Sequence, residues 1–290
     1  MTDDLRARAI ALHDRFTHDG MDRRLFLERM TRLTGSAAAA SVMIAGISAS
    51  PAAAALTRAD DPRLVTRKGS LDRDSGLNGY VALPKGRQRR ATVMVIHENR
   101  GLNGHIEDVA RRLALAGFAV VAPDLLTPLG GTPANEDKAR DLIGKLDLAA
   151  SIASAIRLGD GLKRLKHSNG KLGIVGFCWG GAFVNRYAVA AAKRLDAGVA
   201  YYGPAPAPAD AARVAAPLLL HYAGLDTRVA ETAGPWVAAL KAAHKDVTDF
   251  TYPGVNHAFN NDTSAERYDK AAAELAWGRT IAFLRQHLHA

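Results

Sequence analysis

"KLGIVGFCWGGAFV", residues 171–184, sets the single cysteine of a 290-residue chain between a run of apolar residues and a cluster of glycines. Residues 171–177 carry no polar alternation beyond the first lysine, so they read as a strand buried on both faces. The stretch "GGAFVNRYAVAAAKRL" that follows from residue 180 reads as a helix. Between them Gly176-Phe177-Cys178-Trp179-Gly180 has the pattern G-x-C-x-G, a nucleophile elbow with cysteine in place of serine. Such a strand-to-helix turn strains the central residue, and glycines two before and two after remove the side chains that would collide. The thiol then stands at a helix N-terminus, where unpaired N–H groups and the helix dipole favour thiolate. A buried cysteine is otherwise a small, inert hydrophobe. The glycine frame and the strand–helix setting favour the reactive reading.

The same rhythm extends in both directions. Strands are predicted at 79–83, 92–97, 118–123, 171–177, 197–203, 217–224 and 247–253. Helices are predicted at 104–117, about 146–166, 180–195, 233–244 and about 264–287. In the first of these Ile106, Val109, Leu113 and Ala116 share a face. Strand alternating with helix predicts an α/β fold, a mostly parallel central sheet with helices on both faces. Ligands of such sheets bind beyond the carboxyl ends of the strands, which singles out Glu98, Asp124, Cys178, Asp226 and His257.

Chain order adds to this. A nucleophile elbow is followed by an acid after a later strand and then by a histidine in a late loop. "LLLHYAGLDTRV" supplies Asp226 and "YPGVNHAFNND" supplies His257, with room for a helix and a strand in each interval. Histidine would take the thiol proton, and the aspartate would hold the imidazole in the useful tautomer. His221 falls inside a strand and reads as core, and His105 as the start of a helix. No H-E-x-x-H, C-x-x-C, P-loop or dinucleotide fingerprint is present, so the sequence gives no support to metal or nucleotide chemistry.

The net charge of +9 arises from basic residues interleaved with acids and without an aromatic-rich basic cluster, which reads as solvated surface and predicts no nucleic-acid partner. At the N-terminus Arg23 and Arg24 precede Phe26 and Leu27, and residues 33–56 carry no charge. The pattern resembles a twin-arginine export signal, cleaved near Ala54 or Ala55, which divides the chain into a leader, 1–55, and one domain, 56–290. That reading predicts a periplasmic or secreted protein, a twin-arginine export partner and no permanent membrane span. The alternative is an N-terminal helix that is never cleaved, which would leave the protein in the cytoplasm.

From about Val65 onward the chain resembles the dienelactone hydrolases, a cysteine-using branch of the α/β-hydrolase superfamily. The resemblance rests on "IHENRGLNGHIEDVARRLALAGFAVVAPDLL", "GFCWGG", "AGLD" and "NHAFNND" in that order. It implies an α/β-hydrolase fold and cofactor-free hydrolysis of a small ester or lactone. Cys178 would be the nucleophile, His257 the base and Asp226 its orienting acid. It further implies that Glu98 hydrogen-bonds the resting thiol and releases it as thiolate when substrate arrives. The backbone N–H groups of Asn99 and Trp179 would form the oxyanion hole.

Three positions bear on substrate. Relatives acting on dienelactone carry an arginine four residues after the catalytic histidine, where this chain has Asn261, so neutral lactones or esters are expected to be the better substrates. Arg100 and Arg228 each follow a catalytic residue by two positions and could supply a cation from another direction; Arg100 is otherwise the partner of a merely structural Glu98. An acyltransferase on the same residues and a binding protein without turnover remain alternatives from sequence alone.

Overall fold

The computed structural model describes residues 3–18, 21–47 and 57–289. Its centre is one eight-stranded sheet. The strands are β1 (Leu64–Ser70), β2 (Asn78–Pro84), β3 (Arg90–Ile96), β4 (Ala119–Pro123), β5 (Ser168–Phe177), β6 (Ala197–Tyr201), β7 (Leu218–Ala223) and β8 (Val247–Tyr252). Their spatial order is β1-β2-β4-β3-β5-β6-β7-β8. The β1–β2 and β2–β4 pairs are antiparallel and the pairs from β4 through β8 are parallel.

Alternate residues of each central strand enter opposite layers, as the period of two requires. Val93 and Val95 pack with helices α4 (Gly104–Leu115) and α9 (Lys270–Leu288). Met94 and Ile96 face the other layer, built from α6 (Leu148–Lys163), α7 (Trp179–Ala191) and α8 (Thr227–Ala242). The short α5 (Glu136–Ile143) lies between α4 and α6 in the chain.

The strand order turns back at β3. The chain leaves β3 for β4 on one side and returns as β5 on the other, which opens a crevice at the carboxyl ends of β3 and β5. In that parallel pair Ile96 stands opposite Gly176, so Glu98 and Cys178 each follow the pair by two residues and emerge side by side.

Residues 3–47, read from sequence as part of an export leader, form three helices: α1 (Asp3–His18), α2 (Arg23–Thr34) and α3 (Ala37–Ile47). They share a small core of Ala9, Ile10, Phe26, Met30, Met43 and Ile47. Among the described residues no helix is long and apolar enough to cross a membrane. The predicted cleavage positions Ala54 and Ala55 lie outside the described residues.

These helices rest on the domain through specific contacts. Buried Arg267 reaches Asp14 at 2.7 Å and donates to the His13 ring at 3.0 Å. The Ser264 hydroxyl donates to the Ile47 carbonyl at 2.6 Å, the Glu266 N–H to the Gly46 carbonyl at 3.1 Å, and Arg23 pairs with Asp137 of α5 at 2.6 Å. Most of these anchors belong to the loop that carries His257.

Candidate active site

Cys178 takes φ 55° and ψ −115°, a left-handed conformation that costs a non-glycine residue about 1–3 kcal/mol. Close backbone approach forces this turn. A Cβ on Gly176 would lie 2.2 Å from the Gly180 carbonyl oxygen, and a Cβ on Gly180 would lie 2.5 Å from the Ile96 carbonyl oxygen. The Cys178 N–H donates to the Tyr201 carbonyl at 3.0 Å, which ties the elbow to β6. The first turn of α7 thus sits against the end of β3. Both segments that carry the predicted oxyanion donors, Asn99 and Trp179, border the cleft that contains Cys178.

His257 lies in the loop after β8 and is 2% exposed. Its Nδ1 donates to Asp226 Oδ2 at 2.5 Å, and the ring also hydrogen-bonds the Cys178 thiol. Asp226 caps α8, its other oxygen accepting the Val229 N–H at 3.1 Å, which fixes the carboxylate against the ring. Burial by itself would lower the His257 pKa. The charges of Cys178 and Asp226, together with hydrogen bonds to both, outweigh that effect and raise it to about 10. Asp226 moves the opposite way. Burial raises it, but the His257 charge and hydrogen bond prevail and leave it below the usual carboxylate value. The arrangement is an aspartate–imidazolium pair with the Cys178 sulfur on its far side.

Glu98 shares a cavity of about 40 Å³ with Cys178, His257 and Asn261. Its Oε2 accepts the Asn261 side-chain N–H at 3.0 Å, while its buried Oε1 has no hydrogen-bond partner among the described residues. A buried carboxylate oxygen left unpaired is costly, so it is poised to accept a proton or a hydrogen bond. Arg100 does not serve Glu98. Its guanidinium pairs with Glu136 of α5, which removes the reading of Glu98 as an Arg100 partner.

Asn261 also differs from expectation. The sequence sets it against the substrate, yet its amide nitrogen holds Glu98 and its oxygen accepts from the Thr263 N–H and hydroxyl, at 3.0 and 2.6 Å. Asp124, a candidate by its place after a strand, instead ties down its own loop, accepting from Leu126, Thr132 N–H and the Thr132 hydroxyl.

Two features escape sequence reasoning. His97 is buried and burial lowers its pKa, so the ring is neutral. Its Nδ1 lies 2.7 Å from the Glu98 carbonyl oxygen and its Nε2 accepts the Leu125 N–H at 3.3 Å, an arrangement that fixes the Nδ1–H tautomer. The same ring stacks on Trp179 at 5.5 Å, so one side chain braces both the Glu98 peptide and the opening of α7. The second feature is a cleft of about 360 Å³ that reaches Cys178 and carries Arg140, Arg186 and Arg228. Arg228 Nε and Nη2 are buried without a hydrogen-bond partner among the described residues, and burial lowers the pKa of Arg186.

A strand, sharp turn and helix at Cys178, with an acid after β7 and a histidine after β8 on a doubly covered sheet, define a hydrolase of the α/β class. The chain belongs to the dienelactone hydrolase family: the sequence model of that family matches residues 77–288. A provisionally assigned carboxymethylenebutenolidase of Escherichia coli (strain K12) is 32% identical over 265 residues, covering 82% of this chain and 93% of that protein. Another from Methylorubrum extorquens is also 32% identical, covering 82% and 87%. The crystal structure of a provisionally assigned dienelactone hydrolase from Klebsiella pneumoniae superposes with a TM-score of 0.69 at 28% identity, covering 77% of this chain and 99% of that one.

Proposed function

We propose that the chain hydrolyses a lactone or ester through an acyl-thioester on Cys178. The observation that carries this reading is the strained, buried thiol hydrogen-bonded to His257, whose other nitrogen is held by Asp226 at 2.5 Å. Loss of the thiol proton, with the unpaired Glu98 oxygen as a neighbouring acceptor, leaves the sulfur to attack the carbonyl carbon. The tetrahedral oxyanion is received by the Asn99 and Trp179 N–H groups. The C–O bond then breaks, and the leaving oxygen takes the proton of the His257 imidazolium. For a lactone that oxygen stays on the acyl chain. Neutral His257 next removes a proton from water as it attacks the thioester, the sulfur departs as the acid forms, and the proton held by Glu98 returns to that sulfur.

One equivalent of a thiol alkylator offers the test, because the chain has a single cysteine. Complete labelling of Cys178 is expected to abolish ester hydrolysis, and activity that survives it would contradict the reading.

Asn261 lines the cavity of Cys178 and brings no cation to it, its amide being held by Glu98. The cleft beside Cys178 carries guanidinium groups instead, and Arg228 has donors unused. We therefore propose that the substrate carries a carboxylate. Hydrogen bonds from a charged donor contribute about 1.5–3 kcal/mol, or roughly 10- to 150-fold. Arg228→Gln is expected to lower kcat/KM for an acidic lactone by that factor relative to its methyl ester. An unchanged ratio would remove Arg228 from recognition.

A further inference from the structure

Two cavities border Cys178 and a third adjoins both, and among the described residues Asn99 and Thr17 border all three. The first cavity is the small one that contains Glu98 and His257, and the second is the arginine-lined cleft. A third, of about 270 Å³, lies between the N-terminal helices and α5. Phe16, Phe26, Leu27 and Ile44 line its helical side, with Arg100 and Glu136 opposite.

Thr17 stands on the last turn of α1 and comes from a part of the chain that lies outside the family match. Its hydroxyl donates to the His13 carbonyl at 2.6 Å, which fixes the side chain. The helix itself is pinned from below by Arg267 through Asp14 and His13. Phe16 and Phe26 are stacked at 4.3 Å, and the Arg140 guanidinium covers Phe16 at 4.3 Å, so the apolar lining is held in place.

We propose that helix α1 is a wall of the substrate site and that Thr17 is its specificity-determining residue, with the aromatic-lined cavity receiving an apolar, aryl-sized substituent of the ester. The inference rests on the reading of Cys178 as nucleophile. A cavity of about 270 Å³ with one aromatic and aliphatic wall and a polar wall opposite, just below the usual range of small-molecule sites, about 300–1,000 Å³, suits one ring better than a whole substrate. The ring leaves water for the cavity while the charged part of the same molecule remains in the arginine cleft. Thr17 borders both cavities beside Asn99, so a bulkier side chain there intrudes on both.

The test uses the intact chain, its mass verified to include the N-terminal helices, with hydrolysis followed by acid release. Two comparisons are made, phenyl acetate against methyl acetate and methyl 3-phenylpropionate against methyl acetate. They place the ring on the alcohol side and on the acyl side in turn. Thr17→Trp is expected to lower at least one aryl-to-methyl ratio of kcat/KM by tenfold or more. Thr17→Val, which keeps the size, is expected to hold that ratio within about twofold of wild type. Arg15→Trp adds the same bulk on the exposed face of α1 and should leave both ratios alone. If Thr17→Trp moves neither ratio by more than about twofold, or if Arg15→Trp moves them equally, the wall is not part of the site. Failure of the underlying reading shows differently, as wild-type hydrolysis that survives Cys178→Ala.

Discussion

Replacing Cys178 by alanine is expected to lower kcat/KM for ester hydrolysis by about 10⁴-fold or more, the scale on which loss of a nucleophile or its base is felt in acyl-transfer enzymes. The fold should survive. The elbow is imposed by the backbone approach of Gly176 and Gly180, and the thiol makes no contribution to that geometry. The same reasoning predicts a difference between two inactive variants. Cys178 has φ 55°, which strains alanine as it strains cysteine but leaves glycine relaxed. Cys178→Gly should therefore melt at a higher temperature than Cys178→Ala, and neither should turn over substrate. Retained activity in either, with contaminating esterase excluded, would remove Cys178 from the chemistry.

Asp226→Asn is expected to cost about 10⁴-fold in kcat, because an amide can favour the wrong imidazole tautomer and cannot stabilise the imidazolium. A shifted pH profile should accompany the loss. In the wild type the proton on His257 is held up to about pH 10, against the pull of burial, by Cys178 and Asp226. Since protonated His257 releases the leaving group, the alkaline limb of kcat/KM should fall near that value and move to lower pH in the variant.

Stability should follow the same linkage. The folded His257 binds its proton more tightly than the ordinary value of 6.5 allows, so its contribution is fully present below pH 6.5 and fades as pH rises through about 10. Melting temperatures measured from pH 6 to 10.5 should decline in the wild type and decline less in Asp226→Asn. An alkaline limb that stays in place in the variant would mean that Asp226 does not govern His257.

The central sheet was legible because its strands are unusually apolar. β3, β4, β5, β6 and β7 are buried along most of their length, and continuous apolar runs announce them. β1 was not legible. In "LVTRKGS" only Leu64 is buried, since the strand lies at the sheet edge with its other residues facing outward, and no apolar period marks it. The helix α5, "EDKARDLI", buries only Ala139 and Ile143 and is too short for a period to stand out. At the N-terminus the sequence supports two readings, a leader and an uncleaved helix. An arginine pair before an uncharged segment resembles an export address, while Ala9, Ile10, Phe26 and Met30, which pack α1 and α2 together, follow no single helical stripe.

At the site, the sequence pointed to residues that follow strands and to a chain order, and the structure brings Cys178, Asp226 and His257 together as that order implies. Contacts across long separations were beyond it. Glu98 and Asn261 are 163 residues apart, and no local pattern could reveal that the amide holds the carboxylate. Arg228 stands out in the sequence by its place two residues after Asp226, but Arg140 and Arg186 are far from it in the chain, and no local pattern shows that the three border one cleft. His97 reads as the last residue of an apolar strand. Its two ring hydrogen bonds become apparent only when β3 is set beside the loop after β4.

The most direct measurement is the mass of the protein during turnover of a slowly hydrolysed ester, quenched in acid and followed by peptide mapping. The account predicts a transient increase equal to the acyl group, borne by the peptide that contains Cys178, removed by hydroxylamine and absent from Cys178→Ala. Turnover with no adduct under conditions where deacylation is rate-limiting, or an acyl group borne by any other residue, would contradict it.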